Sequence, residues 1–411
     1  MSKKKKSSIR PGVFSAAQIK NNALARFERA CELMIGPGHF HKFSDLCRAR
    51  LLAHRFPAVK LKFKPGIAPK RNSLKYYQEI FSSQLNSLTF TTIQEIEMPV
   101  SLYLREGLGL LIYTGAMKQE SMPHIQVLEK LFGQYNTDEW LRKPVAEVVF
   151  LLHKMSILLT DWSSSVFVYS VAGLAALDSM ANDNSAVAEL IKPESCNVKF
   201  DGINREVVRL CWSETDGNIE YVKLSPISIG YRSYKPEQLF DVYIQGHALQ
   251  RLEERLGLIP GVVHHAILEM LKRNELTWFR QGPSVLVRFS LWERKLGYLV
   301  CSLVEEKIVI RSFLFLTNDG TPEGKKLSEL TQLERLDKKY LGIDSLSGFL
   351  GLKIQEDEGL VALFTEAGCA DLLDLSEIQM YHLDEIRERD PEKLLSYMMG
   401  LGSKTEELVE G

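Results

Sequence analysis

The residues best equipped for chemistry lie in one short run, His247-Ala-Leu-Gln-Arg251-Leu-Glu-Glu254-Arg255-Leu-Gly257. At about 100° per residue, Leu249, Leu252 and Leu256 gather into a stripe that a helix would bury. His247, Arg251 and Glu254 fall on the opposite side, within about 60° of one another. One helix face would then carry an imidazole, a permanent cation and a carboxylate. Metal-independent cleavage of RNA needs such a set. A base takes the 2′-hydroxyl proton, an acid protonates the leaving oxygen, and a guanidinium holds the charged phosphorane. Alternation along a strand ending near Thr317 would add Arg311 and Thr317, on a face shared with Phe313 and Phe315. The same helical pattern also describes an ordinary solvated face laced by i,i+3 and i,i+4 contacts.

Other chemistries find little purchase. The sequence has no G-x-x-x-x-G-K-[ST], no G-x-G-x-x-G after a strand, no H-E-x-x-H and no G-x-S-x-G. Phosphate-loop enzymes, dinucleotide dehydrogenases, zincin proteases and α/β-hydrolases are therefore disfavoured. The close histidine pairs, His39-x-His41 and His264-His265, lack a Cys, Asp or Glu at ligand spacing, so neither a metal nor a cofactor is expected. Pro322-Glu323-Gly324-Lys325-Lys326 reads as a helix start with an early acid, not as a site.

The charge distribution is the second functional signal. The net charge of the 411 residues is -1, yet residues 1–75 hold 18 Lys/Arg against 3 Asp/Glu. Residues 353–411 hold 15 acids against 5 bases. A basic end of this kind suits a phosphate backbone. The candidate contacts are Arg48, Arg50, Arg55, Lys60, Lys62, Lys64, Lys70 and Arg71, with Phe40, Phe43, Phe56 and Phe63 between them. The competing reading is internal, with the basic region docked on the acidic C-terminal segment, or that segment meeting a protein partner.

The elements that must position these residues follow from periodicity and punctuation. Met1–Pro11 reads as a disordered basic tail. Ser15–Ile35 reads as a helix stopped by Gly36-Pro37-Gly38, followed by a second over Lys42–Arg55 and a strand with a lysine face at Val59–Lys64. Residues 73–192 read as mainly helical, including helices over Pro123–Gly133, Pro144–Thr160 and Trp162–Met180. The apolar run Ser165–Leu177 is too short for a bilayer and is expected inside a buried helix. Strands are expected at Asn197–Phe200, Val207–Trp212 and Ile219–Leu224. Next come a strand at Val242–Gln245, helices His247–Leu256 and Pro260–Glu275, and strands Leu276–Arg280, Val285–Leu291, Gly297–Val304 and Lys307–Thr317. A helix over Pro322–Leu341 closes that unit.

The fold class is therefore α+β. The expected layout is a helical domain over 12–192, a β segment or linker over 193–235, an α+β unit over 236–349 and an acidic helical segment over 350–411. Scattered cysteines without a C-x-x-C pair, and no signal-peptide pattern, point to a cytoplasmic protein with reduced thiols.

A strand leading to His-Ala-x-x-Arg-x-x-Glu-Arg, a second helix and an antiparallel sheet ending in a strand with Arg and Thr resembles the barnase/colicin/RelE-like toxin nucleases over Val242–Thr317. The resemblance implies two helices on a four-stranded antiparallel sheet and a metal-independent ribonuclease. It would place His247 and Arg251 in the helix part of the site, and Arg311 and Thr317 in the strand part. The alternative is a non-catalytic interaction protein that uses the same fold as a scaffold.

Overall fold

A computed structural model describes residues 15–65, 71–116, 123–172, 174, 184–200, 202–273, 276–383, 386 and 394. The tail over Met1–Pro11, Lys70, the far end of the helix expected to reach Met180, and the last residues of the chain lie outside these. The chain divides into two compact units. The first comprises Met1–His153, Tyr169–Glu189 and Thr215–Gly217; the second comprises Lys154–Val168, Leu190–Glu214 and Asn218–Gly411. The fold is α+β with a helical N-terminal half.

The chain opens with α1 (Ala16–Ile35), α2 (Asp45–Leu51), β1 (Lys60–Phe63) and α3 (Arg71–Ser87). Ser15 and Gln18 form a reciprocal capping box at the start of α1, and Gly36 ends it at φ 94°. The helix expected over Lys42–Arg55 begins only at Asp45, because Ser44 caps it by accepting from the Cys47 N–H. A hairpin of β2 (Thr89–Thr91) and β3 (Glu97–Pro99) leads into α4 (Val100–Leu102). A π-helical turn, Tyr103–Gly107, joins α4 to α5 (Leu108–Ala116). Then come α6 (Pro123–Gly133), α7 (Asp138–Leu159), β4 (Val166–Ser170) and β5 (Ser185–Ile191). β1 pairs in parallel with β5, from Lys60 opposite Ser185 to Phe63 opposite Ala188. The first four residues of β4 are all buried, so a strand stands where the sequence reading had a helix. A short, wholly buried run lacks the alternation that separates the two.

The second unit is built on an eight-stranded sheet. Its strands are β6 (Ser195–Phe200), β7 (Ile203–Arg209), β10 (Lys223–Leu224), β11 (Phe240–Gln245), β12 (Trp278–Gln281), β13 (Ser284–Leu291), β14 (Arg294–Val304) and β15 (Lys307–Phe315). A separate hairpin joins β8 (Cys211–Ser213) to β9 (Ile219–Tyr221). The sheet order is β12-β13-β14-β15-β11-β7-β6, with β10 added on β11. The expected antiparallel meander is present as β12 to β15. It is extended by β11, which runs parallel to β15, and then by β7 and β6. The stretch expected as a β segment or linker therefore contributes strands to the same sheet.

One face of this sheet meets α8 (Gly246–Leu256) and α9 (Pro260–Lys272); Ala248, Leu249, Leu252, Leu256, Ile267, Ile308, Ile310, Phe313 and Phe315 share a single large core. The other face carries a small cluster of Val198, Phe200, Val207 and Val309. Beyond the sheet come α10 (Pro322–Thr331), α11 (Arg335–Leu341), α12 (Leu346–Gly351), α13 (Glu358–Glu366) and α14 (Ser376–Gln379). The single helix expected over Pro322–Leu341 is two, parted at Gln332, which takes a left-handed φ of 59°. Acids late in the chain serve this unit itself: Asp371 lies 3.6 Å from Arg288 and accepts the Lys295 N–H, and Asp374 pairs with Arg294.

All six cysteines are free, and burial pushes the thiols of Cys31, Cys211, Cys301 and Cys369 up to about 12. Among the described residues no helix is long and apolar enough to cross a membrane. Lys338 is 2% exposed, and its ammonium donates to the carbonyls of Thr317 and Gly324 at 2.9 and 2.7 Å and pairs with Asp319. Lys338→Met strands those acceptors, so the unfolding free energy is expected to fall by about 2–4 kcal/mol in denaturant titration.

Candidate functional site

Helix α8 starts directly after β11, and its leucine stripe fixes which residues face outward. His247 is exposed in the first turn. Arg251 donates to Glu254 at 2.7 Å, and Gln250 donates to the other Glu254 oxygen at 2.8 Å. These three expected residues do share one outward face, with Arg251 and Glu254 joined as a partly exposed ion pair.

The strand half of the expected set does not join them. A register shift in the β14–β15 pairing leaves Arg311 as an extra residue, between Ile310 opposite Cys301 and Ser312 opposite Val300. The bulge breaks the alternation that was to align Arg311 with Phe313 and Phe315. Those rings enter the core beneath α8, whereas the Arg311 guanidinium lies 4.7 Å from the centre of the Phe200 ring. Phe200 belongs to the opposite face of the sheet. Thr317 is fully buried and donates to the Ile343 carbonyl at 2.6 Å, so its hydroxyl supports the chain that follows β15. His247, Arg251, Arg311 and Thr317 thus line no common cleft.

A cavity of about 530 Å³ opens on the neighbouring flank of α8, lined by Asp161, Lys192, Glu206, Gln250, Glu253 and His264. Two of its three carboxylates have hydroxyl partners: Asp161 accepts from Ser163 and Ser164, and Glu206 from Ser195. His264 stacks on Trp162 with centroids 4.4 Å apart and planes at 9°, and its Nδ1 accepts the Trp162 N–H at 3.3 Å. Burial lowers its pKa to about 4 against a weaker upward pull from Asp161. Sequence reading weighed His264 only as half of a histidine pair, because its stacking partner stands 102 residues away. Among the described residues no group of three or more His, Cys, Asp or Glu is arranged to hold a metal ion.

The basic N-terminal candidates divide into two sets. Lys60, Lys62 and Lys64 are exposed on one side of β1, while Leu61 is buried and Phe63 half-buried on the other. The Lys64 N–H still bonds the Ala188 carbonyl, so the strand geometry persists through the third lysine. Alternate residues of a strand stand about 6.6 Å apart, which sets the three lysines at regular intervals along one side of β1. Arg50 is exposed on α2. Arg71 opens α3, with its side chain outside the described residues.

The remaining arginines are engaged in holding the unit together. Arg48 pairs with Asp45 at 3.3 Å, donates to the His41 carbonyl and lies 5.7 Å from the Phe40 ring centre. Arg55 grips Glu106 at 2.8 Å. The interleaved aromatics point inward: Phe40 and Phe43 are buried, and Phe63 packs 6.1 Å from Tyr77 of α3.

Glu106 was missed altogether. It sits in the π-helical turn with no exposed surface, and it accepts two bonds from Arg26 at 3.0 Å besides those from Arg55. Arg105 approaches to 3.5 Å. A lone acid inside an apolar helical run gives no local sign of partners 80 and 51 residues earlier.

No protein-family model matches this sequence, and neither a curated protein nor a solved structure matches it.

Two measurements test these environments. The unfolded His264 ring takes up its proton near pH 6.5, but the folded ring resists until about 4, so stability is full above about 6.5 and is lost as the pH falls towards 4. Urea melts of the wild type are expected to lose about 2 kcal/mol between pH 7 and pH 5 from this group, and His264→Phe to remove that part of the loss. Glu106→Gln leaves three guanidinium groups without their counter-charge. Calorimetry is expected to find it destabilised by about 3 kcal/mol or more.

Proposed function

We propose that this chain binds the phosphate backbone of nucleic acid, RNA in the first instance, through the lysine row of its first unit, and that it does not cleave RNA with the α8 residues. The observation that carries the reading is the exposure of Lys60, Lys62 and Lys64 together on one side of β1. Lysines at that spacing supply point charges to successive phosphates, and no base-reading group accompanies them. Phe40 and Phe43 are buried and Phe63 is half-buried, so these rings add little base stacking and phosphate contact leads the affinity. The second unit then acts as a scaffold. Its ribonuclease-like set is divided between two faces of the sheet, and two of its late acids, Asp371 and Asp374, pair with its own arginines.

Such binding is electrostatic and therefore salt-dependent. Each phosphate neutralised on a single strand contributes a slope of about -0.7 to log K against log salt. The variant Lys60→Ser/Lys62→Ser/Lys64→Ser is expected to bind labelled single-stranded RNA more weakly and to have a slope shallower by about 2. An unchanged slope, or loss of RNA integrity in EDTA with wild type but not His247→Ala, would sink this reading.

A further inference from the structure

The buried carboxylate of Glu106 is surrounded by more positive charge than it can answer. Arg26, Arg55 and Arg105 approach it at 3.0, 2.8 and 3.5 Å, so three cations face one anion, an excess of two. Among the described residues Glu106 is the acid within ion-pair distance of all three. Their side chains retain 41%, 20% and 28% of their exposure, so the cluster is seated on the fold but partly open to solvent.

The third arginine is the informative one. Arg26 meets both Glu106 oxygens and Arg55 meets one of them through two nitrogens, which already satisfies the carboxylate. Arg105 adds little to that pairing: its buried Nε has no hydrogen-bond partner. Burial, followed by repulsion from Arg55, lowers its pKa despite the nearby carboxylate. A structural staple would not need a third guanidinium, because a like charge held this close costs stability unless another anion meets it. Arg105 and Glu106 both lie in the π-helical turn, and such turns are frequent at functional sites.

We infer that Arg26, Arg55 and Arg105 form a receptor for a single phosphate group, with Glu106 as the internal counter-ion that fixes their forks. Guanidinium groups suit phosphate because their planar donors meet its oxygens in pairs. Only Phe56–Val59 separates Arg55 from Lys60. A chain of that length spans at most about 18 Å. The receptor therefore stands near the start of the lysine row and would hold one defined phosphate while the row meets others. This extends the proposed backbone binding to a specific group, but the phosphate site itself does not require the lysine row.

The probe is inorganic phosphate, added to the full chain at constant ionic strength with chloride as the control, and read by thermal unfolding. At ten times its dissociation constant, phosphate is expected to raise the folded-to-unfolded ratio about elevenfold. Arg105→Gln keeps the Arg26 and Arg55 bonds to Glu106 and removes a like charge, so it should fold, melt at or above the wild type without phosphate and lose the response. The variant Lys60→Ser/Lys62→Ser/Lys64→Ser should keep the response even where it has lost RNA binding, which separates the two claims. Equal stabilisation of wild type and Arg105→Gln, or none of the wild type beyond that given by chloride, overturns the inference. With the response established, a 5′-phosphorylated oligonucleotide that binds more tightly than its 5′-hydroxyl counterpart identifies a strand end as the source. Equal binding identifies an internal or free phosphate.

Discussion

A carboxylate without access to water must be met by cations, and in the first unit that demand fixes much of the local architecture. Glu106 lies in the π-helical turn, Arg26 on α1 and Arg55 at the end of the turn after α2. Satisfying one side chain therefore ties together three parts of the chain far apart in sequence. Breaking such a buried pair typically costs 3–5 kcal/mol. The same constraint sets the basic surface. The Glu106 arginines lie on other elements, so the exposed positive charge on β1 comes from lysines, whose strand pairing with β5 holds them in a row.

The second unit rests on a different constraint. In β15 the residues Ile308, Ile310, Phe313 and Phe315 enter the large core, whereas Val309 joins the small cluster with Val198, Phe200 and Val207. One extra residue in β15 is enough to send Arg311 to the side away from α8. A catalytic set assembled by counting alternate residues does not survive such a bulge. What remains on α8 is an ion-paired helix face of the kind that adds little to stability.

The parts of the fold that were legible in the sequence were those governed by local rules. The Ser15 cap, the Gly36 stop, the Val59–Lys64 alternation and the leucine stripe of α8 each follow from neighbours within a few residues. The meander from β12 to β15 was legible for the same reason, its strands being joined by tight turns such as the left-handed Glu305-Glu306 pair. What escaped was non-local. Nothing near Val166–Ser170 separates a buried strand from a buried helix. The parallel pairing of β11 with β15 joins residues 66 apart, Val242 with Ile308. Glu106 and His264 take their character from partners on distant elements, so their sequence neighbourhoods are silent. The exposed side of β1 and the outward face of α8 were readable in advance, because each is the geometry of a single element.

The most direct test of the account is lysine footprinting by acetylation of the full chain, with and without single-stranded RNA, at low and high salt. Peptide mass spectrometry should find Lys60, Lys62 and Lys64 protected by RNA at low salt and reactive again at high salt. If those three stay reactive while RNA protects lysines of the second unit, such as Lys272 or Lys307, the nucleic-acid interface has been placed on the wrong part of the molecule.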